Sequence, residues 1–280
     1  MRARAVRGRA FQGVLLTALV VAFATLATLV YTVVRDGWRS LDAKLLTEPP
    51  SISPDIAGAH PAILATIYLG LLVLVMAVPV GVGTALYLEE YANGDRWYNR
   101  LLELNIQNLA AVPSIVYGIL GLAFLVRGLG LGRVLLAGGM ILTLLALPTV
   151  VIAAREAIRA VPDSIRQGAY ALGATRWQVV RRQVLPAALP GIATGSILAL
   201  SRALGETAPL IMIGAVTYIT FDPTILGPFT ALPIQIYSWA SLPDNDFRAL
   251  AAAAIIVLLG IILLLNAFAI WVRNRYTQRW

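Results

Sequence analysis

Six long apolar segments dominate this sequence and decide what it can fold into. They lie at 11–34, 61–88, 104–126, 134–154, 188–216 and 249–272. An α-helix needs about 20 apolar residues to cross the hydrocarbon core of a bilayer, and every segment reaches that length. Backbone N–H and C=O groups find no partners in lipid, so each span must satisfy them internally, as a helix does. We therefore predict an all-α, polytopic membrane protein with six transmembrane helices.

The composition supports this prediction and excludes several classes of enzyme. The chain is 59% hydrophobic and 13% charged, against about 45–50% and about 25% in soluble domains. It has no cysteine, which excludes disulfides and thiolate chemistry. Its only lysine, Lys44, has none of the glycines of a P-loop around it. No catalytic His/Asp/Ser set or acidic metal cluster lies within a span. We predict that the chain is not an enzyme, binds no cofactor and leaves any ATP chemistry to a partner.

The basic residues predict the orientation in the membrane. The net charge is +8, and most arginines fall in alternate loops. That pattern is typical of the positive-inside rule and places both termini in the cytoplasm, so no nucleic-acid partner is predicted. The first apolar run continues to residue 34, beyond the about 7–15 residues of a signal-peptide core, and is interpreted as a retained anchor.

A basic insert at 155–187 separates the fourth and fifth apolar segments. Pro162-Asp163-Ser164 is a helix-start signal, and Gly173 is expected to end that helix. Thr175 can cap a second helix at 176–184, which Pro186 is expected to end. The pattern predicts a helix, a glycine turn and a helix along the membrane surface. Such a pair can dock a soluble partner, or it can rest on anionic lipid headgroups.

Two charges interrupt the fifth segment. Arg202 and Glu206 are one helical turn apart and are expected to share a face. A charge at the bilayer centre costs at least about 2.5–3.5 kcal/mol, so such residues face a bundle interior or a water-filled path. The planar donors of Arg202 suit an oxyanion, and Glu206 could neutralise the arginine when no anion is present. The alternative is a structural ion pair that stabilises the bundle.

The third segment carries polar groups on an apolar background. Asn108, Ser114 and Tyr117 are candidates to line a path, and Pro113 can open the hydrogen-bond ladder of the helix. Polar residues that hold neighbouring helices together give the same pattern, and both interpretations stay open.

Three motifs in order carry a resemblance to a known family. Residues 108–118, 201–210 and 232–237 are similar to the PstA family of permease subunits in phosphate-specific ABC importers, within the binding-protein-dependent transport inner-membrane components. Thr207-Ala208-Pro209 separates this family from the related PstC subunits. The insert resembles the loop by which such permeases dock on their ATPases, Glu-Ala-Ala-x3-Gly-x9-Ile-x-Leu-Pro. The matching residues are Ala169, Gly173, Leu185 and Pro186, and the departures are Gln167, Gly168 and Gln183.

The resemblance implies an ABC importer type I permease fold. Residues 1–60 would hold the N-terminal tail, the first span and an outer loop, and residues 61–280 a five-helix transmembrane domain with a cytoplasmic coupling loop at 155–187. The implied substrate path is formed by Arg202, Glu206, Asn108, Ser114, Tyr117 and Thr207. The implied ATPase-coupling residues are Gln167, Gly168, Ala169, Gly173, Arg176, Leu185 and Pro186.

The resemblance also implies an assembly in the bacterial inner membrane. Its members would be a second, PstC-like permease subunit, two PstB-like ATP-binding subunits that use ATP and Mg, and an external PstS-like phosphate-binding protein, all beside membrane lipid. Two alternatives remain: a permease for another oxyanion, sulfate or molybdate, and a stand-alone secondary anion transporter.

Overall fold

The chain is a bundle of α-helices. The computed structural model describes residues 2–93 and 96–276, and no β-strand occurs among them. The helices of the first half are α1 (Arg2–Gly37), α2 (Ala43–Thr47), α3 (His60–Leu86), α4 (Trp97–Ala110), α5 (Ser114–Gly121) and α6 (Leu135–Arg159). Those of the second half are α7 (Asp163–Ala171), α8 (Arg176–Val179), α9 (Leu185–Leu204), α10 (Ala208–Met212), α11 (Leu232–Ala240) and α12 (Asn245–Tyr276).

Wider π-helical turns extend three of these helices. They follow α3 at Tyr87–Tyr91 and α5 at Leu122–Gly128, and join α8 to α9 at Val180–Val184. Five helical stretches of the described chain are long and apolar enough to cross a membrane, and the count is six when the bent pair is taken as one span. The predicted all-α, polytopic membrane class is therefore confirmed, with five to six candidate spans. The predicted division of the chain into residues 1–60 and 61–280 stays a prediction. Residues 1, 94–95 and 277–280 of those two parts lie outside the described ranges.

The centre of the bundle is built from α3, α6 and α9. Its buried side chains are mostly Leu, Ile, Val and Ala from these helices. Small residues let α9 approach α6 closely: Gly191 faces Ala157, and Gly195 faces Ala153 one turn further along. A Cβ added at Gly191 would lie 2.7 Å from the Ala157 Cβ, and one at Gly195 would lie closer still to Ala153. Close approach of small residues is a main source of helix association in membranes, where no hydrophobic driving force acts between helices.

We expect Gly195→Leu to disrupt assembly of the bundle. Overpacking of a well-packed core costs about 1–3 kcal/mol, and here the new side chain meets a helix with no room to move. Detergent thermal denaturation should show a lower midpoint for this variant. Gly83→Leu is the matched control, because a Cβ at Gly83 meets nothing within 4 Å. Equal midpoints for the two variants would contradict the packing assigned to Gly195.

The first helix lies at the edge of the bundle. The apolar stretch of α1 is exposed along its membrane-spanning length, and its packing partner is α12. The contact is tightest at Gly37, which is buried and where an added Cβ would lie 2.6 Å from the Ala252 carbonyl carbon. In a bilayer the exposed apolar side chains of α1 face lipid or another subunit.

One end of the bundle carries α7, and we call it the α7 end. A folded cap closes the other end. Leu45 of α2, Trp239 of α11 and Phe247 of α12 share one buried cluster there. The segment at 217–248 contains one helix, because α11 occupies nine of its residues. A proline at the first turn starts α11, and its apolar residues are buried against α3 and α12.

The structure corrects two predicted spans. The third was expected at 104–126 but consists of α4 and α5, which meet at an angle of 105°. The fifth was expected at 188–216, whereas the helical span is Arg176–Leu204. It begins earlier because the second helix of the insert runs into it without a break, and it ends earlier because the helix stops at Gly205.

Candidate translocation site

A polar cavity of about 210 Å³ lies where the two interrupted spans meet the middle of α6. The break between α4 and α5 supplies one wall, α6 the second, and the C-terminal end of α9 the third. The lining residues are Leu109, Ala110, Ala111, Val112, Pro113, Ser114, Leu145, Ala146, Thr149, Ala199, Arg202, Ala203 and Glu206. Irregular backbone at membrane depth is tolerated where it is buried in protein or lines a water-filled cavity, and both breaks meet that condition.

The first break follows from a proline and is held by a tyrosine. Pro113 has no N–H and disfavours helical geometry at the residue before it, so α4 ends at Ala110. The hydroxyl of Tyr117 donates to the Leu109 carbonyl at 2.8 Å, which ties the start of α5 to the end of α4. The first N–H groups of α5 have no intrahelical partners, and Ser114 at this terminus lines the cavity. A helix N-terminus attracts negative charge.

The second break separates the two charges predicted to share a helix. Arg202 lies in the last turn of α9, whereas Glu206 follows the helix end at Gly205. The expectation that both sit on one helical face is therefore wrong, although both line the cavity. Across residues 2–93 and 96–276, the ion pairs do not include Arg202 or Glu206. Arg202 is exposed to the cavity, so its guanidinium donors can meet an incoming anion.

The cavity gathers only part of the predicted path. Arg202, Glu206 and Ser114 line it, whereas Asn108 and Thr207 lie beside it in the chain without lining it. Tyr117 is buried and acts through its hydrogen bond across the break. Sequence reasoning missed Thr149, whose hydroxyl group adds a polar site from α6. The one sequence signal that could have singled out Thr149 is its position directly after Pro148 in an apolar helix.

The insert forms the predicted helix, turn and helix at the α7 end. Asp163 begins α7 directly after Pro162, and Gly173 adopts φ +78° in the turn that follows. Such a left-handed conformation suits glycine. Thr175 caps α8 through a reciprocal capping box with Gln178. These local predictions are confirmed.

An open groove lies between α7 and the start of the fifth span. It is lined by Ser164, Ile165, Gly168, Ala169, Leu172, Gly173, Ala174, Gln178, Val179, Arg182 and Gln183. Of the predicted coupling residues, Gly168, Ala169 and Gly173 are among them. Gln167 is exposed on α7, and Arg176 packs with its guanidinium carbon 4.9 Å from the centre of the Tyr91 ring.

The prediction that Pro186 ends the second helix is wrong. Leu185 and Pro186 lie inside one continuous helical span, Arg176–Leu204. The π-helical turn at Val180–Val184 comes directly before the proline. Its wider hydrogen-bonding pattern accommodates a residue that cannot donate to the preceding turn. The second helix of the insert is therefore continuous with the span that ends at Leu204, two residues after Arg202.

Comparison with known proteins assigns the chain to a family. Residues 77–278 match the family described as binding-protein-dependent transport system inner membrane component. The chain belongs to this family. It is thus a membrane component of a transport system, and the prediction that the chain is not an enzyme is confirmed.

Two relatives and one solved structure illustrate the family. The chain is 32% identical over 268 residues to the phosphate transport system permease protein PstA 1 of Mycobacterium tuberculosis (strain CDC 1551 / Oshkosh), covering 94% of this chain and 87% of that protein. It is 33% identical over 246 residues to the phosphate transport system permease protein PstC of Xylella fastidiosa (strain 9a5c), covering 78% and 72%. The inward-facing MetNI methionine ABC transporter matches with a TM-score of 0.62 at 20% identity, covering 76% of this chain and 92% of that chain. The predicted ABC importer permease fold is confirmed.

Proposed function

We propose that the chain is a membrane-spanning permease subunit of an ATP-driven importer and forms part of the path for inorganic phosphate. The observation that carries this proposal is the cavity between two broken spans, in which Arg202 is exposed and forms no ion pair with any carboxylate of residues 2–93 and 96–276. The relatives named as phosphate transport permeases, similar over most of their length, support phosphate as the anion.

The chemistry of the cavity fits a tetrahedral oxyanion. Arg202 offers a planar set of charged donors, and Ser114 and Thr149 add hydroxyl donors from two other walls. Glu206 lines the same cavity, and its negative charge opposes tight binding of an anion there. A transport site must release what it binds, and a carboxylate beside the arginine serves that purpose.

The groove at the α7 end is proposed to dock an ATPase subunit. Leu172 of its lining is exposed beside the Gly173 turn, Tyr170 is exposed next to the groove, and exposed arginines lie nearby. The continuous helix from Arg176 to Leu204 links this surface to the cavity. The complete assembly is proposed to hold a PstC-like second permease, two PstB-like ATPases that bind ATP and Mg, and an external PstS-like phosphate-binding protein.

The proposed orientation places the α7 end in the cytoplasm. Arg155, Arg159 and Arg166 lie at that end, together with the basic residues of the insert. Cytoplasmic loops carry an excess of arginine. The N-terminus then lies inside as well, because α1 crosses once and its end at Gly37 packs at the cap end of the bundle.

Uptake by the reconstituted complex tests the proposal. Proteoliposomes that contain this chain with its companion permease, ATPase and binding protein should accumulate labelled phosphate only when ATP is present on the ATPase side. Unlabelled sulfate and molybdate in excess should leave that uptake unchanged. Competition by either anion would reassign the substrate, and accumulation driven by a proton gradient without the ATPase would establish a stand-alone transporter instead.

A further inference from the structure

Two adjacent glutamates at the end of α3 reach in different directions. Glu89 Oε1 accepts from Arg155 Nε and from Arg159 Nη2, both at 2.8 Å. Glu90 Oε1 accepts from Arg166 Nε at 3.1 Å and from Nη2 at 2.9 Å. The Glu90 side chain is only 6% exposed, and a charge this buried is stable only when it is paired. The two residues are adjacent in one helical turn, so a displacement of the backbone at Glu90 moves the backbone at Glu89 as well.

Arg166 of α7 joins three elements through one guanidinium group. Besides Glu90, it donates to the carbonyls of Ile158 at 3.0 Å and Val161 at 2.6 Å, where α6 ends. It also donates to Asp163 in the first turn of α7 at 3.1 Å. The rigid, planar fork of arginine satisfies these acceptors together. α7 therefore cannot tilt or slide without straining the ends of both α3 and α6.

Arg155 carries the connection onward to the helix that forms one cavity wall. Its Nε bonds Glu89, and its Nη1 donates to Glu103 Oε1 of α4 at 2.9 Å. The Arg155 side chain is 13% exposed, so the arginine end of the bridge is largely buried, whereas the Glu103 end is 41% exposed. α4 ends at Ala110, which lines the cavity beside Pro113. Ion pairs thus join α7 to Glu90 and Glu89 to α4, the backbone between the two glutamates links the pairs, and α4 itself leads from Glu103 to the first break.

We propose that Arg166, Glu90, Glu89, Arg155 and Glu103 form a charged relay that transmits displacement of α7 to α4 and so changes the width of the cavity. The inference rests on the proposed docking of an ATPase at α7. None of the five residues lines the cavity, so they are positioning residues. Coupling between distant sites can be carried by salt-bridge networks and by rigid helices that have two discrete arrangements.

Glu103→Gln and Glu156→Gln are a matched pair of tests. Each removes one negative charge from a solvent-accessible, arginine-bound carboxylate, with side chains 41% and 67% exposed. Glu103 bridges α6 to α4, whereas Glu156 pairs with Arg159 at 3.6 Å within α6 itself. Folding is preserved in both, because neither carboxylate is buried. Only Glu103→Gln cuts the relay.

The primary measurement is the movement of α4 when ATP binds to the complete complex. The chain has no cysteine, so Leu102→Cys on α4 and Leu144→Cys on α6 allow site-specific spin labelling at exposed positions. We expect an ATP-dependent change in the distance between the labels in the otherwise unmodified chain and in Glu156→Gln, and a loss of most of that change in Glu103→Gln. A full change in Glu103→Gln, or no ATP-dependent change in the unmodified chain, would overturn the relay.

Transport provides the second measurement and separates the two proposals. Glu103→Gln should deliver about fivefold to tenfold less phosphate per ATP hydrolysed than Glu156→Gln, at the low end of the range for coupling between distant sites. Adding Arg166→Lys, which keeps the charge but loses the fork, should lower the yield no further, because both changes cut one connection. Additive losses would overturn the relay. A labelled complex whose α4 moves with ATP but which imports no phosphate would refute the substrate and leave the relay supported.

Discussion

Arg202→Gln should lower ATP-driven phosphate uptake by about tenfold to a hundredfold, because hydrogen bonds to charged groups contribute about 1.5–3 kcal/mol each. Glutamine keeps much of the length of the side chain but loses the charge and most of the donors. Among the residues that the structure describes, Arg202 is the one arginine that lines the cavity, so no second arginine of that lining can replace it. The measurement is the initial rate of labelled phosphate uptake into proteoliposomes, taken over a range of phosphate concentrations.

Two further variants make the Arg202 experiment specific. Arg202→Lys retains the charge without the planar fork and should fall between the unmodified chain and Arg202→Gln. Arg248→Gln removes the same charge from an exposed position in the first turns of α12 and should transport at the normal rate. Normal uptake by Arg202→Gln would remove the arginine from the path and leave the cavity without its assigned anion ligand.

Gly173→Val should uncouple the complex from its ATPase. A left-handed conformation costs an ordinary L-residue about 1–2 kcal/mol, which reduces the population of the native turn by about fivefold to thirtyfold. A Cβ at Gly173 meets nothing within 4 Å, so the backbone rather than a clash carries the effect. Two backbone hydrogen bonds depend on this turn. The Gly173 N–H donates to the Tyr170 carbonyl at 2.9 Å, and the Ala174 N–H donates to the Ala169 carbonyl at 3.1 Å. Co-purification of the ATPase with the tagged permease reports the loss.

Gly173→Asn is the matched control for that turn. Asparagine tolerates positive φ far better than valine, and open space surrounds the position. We expect the asparagine variant to retain the ATPase and most of the uptake. Equal retention by the valine and asparagine variants would show that the turn conformation is irrelevant to docking. Loss in both would instead show that the partner packs directly on the bare Cα.

Local sequence signals predicted the two helices and the glycine turn of the insert correctly, but they placed the end of the second helix wrongly. Pro162, Gly173 and Thr175 act on backbone groups within a turn of themselves, and all three had the expected effect. Pro186 was expected to act in the same way. Instead, the helix continues past Pro186, because the π-helical turn at Val180–Val184 accommodates the proline. Such a turn depends on how the flanking helix packs, since Val180 and Val184 are fully buried.

The sequence could not predict which residues form the ion pairs at the α7 end. Arg155 and Glu89 are 66 residues apart, and Arg166 and Glu90 are 76 residues apart. Each glutamate has several arginines within the same set of loops, and no spacing rule selects one partner. The choice follows from how α3, α6 and α7 meet, which is decided by side-chain packing over the whole bundle.

The sequence by itself determined that this chain is helical, crosses a membrane several times, lacks a P-loop and carries a proline within its third span. Each of these depends on hydrophobic length or on the backbone chemistry of single residues, which act along the chain. The tertiary structure alone decided that Arg202 and Glu206 face one cavity from opposite sides of a helix end, and that Thr149 joins them. A cavity is the space left between packed helices, and its lining is fixed by distances between residues far apart in the chain.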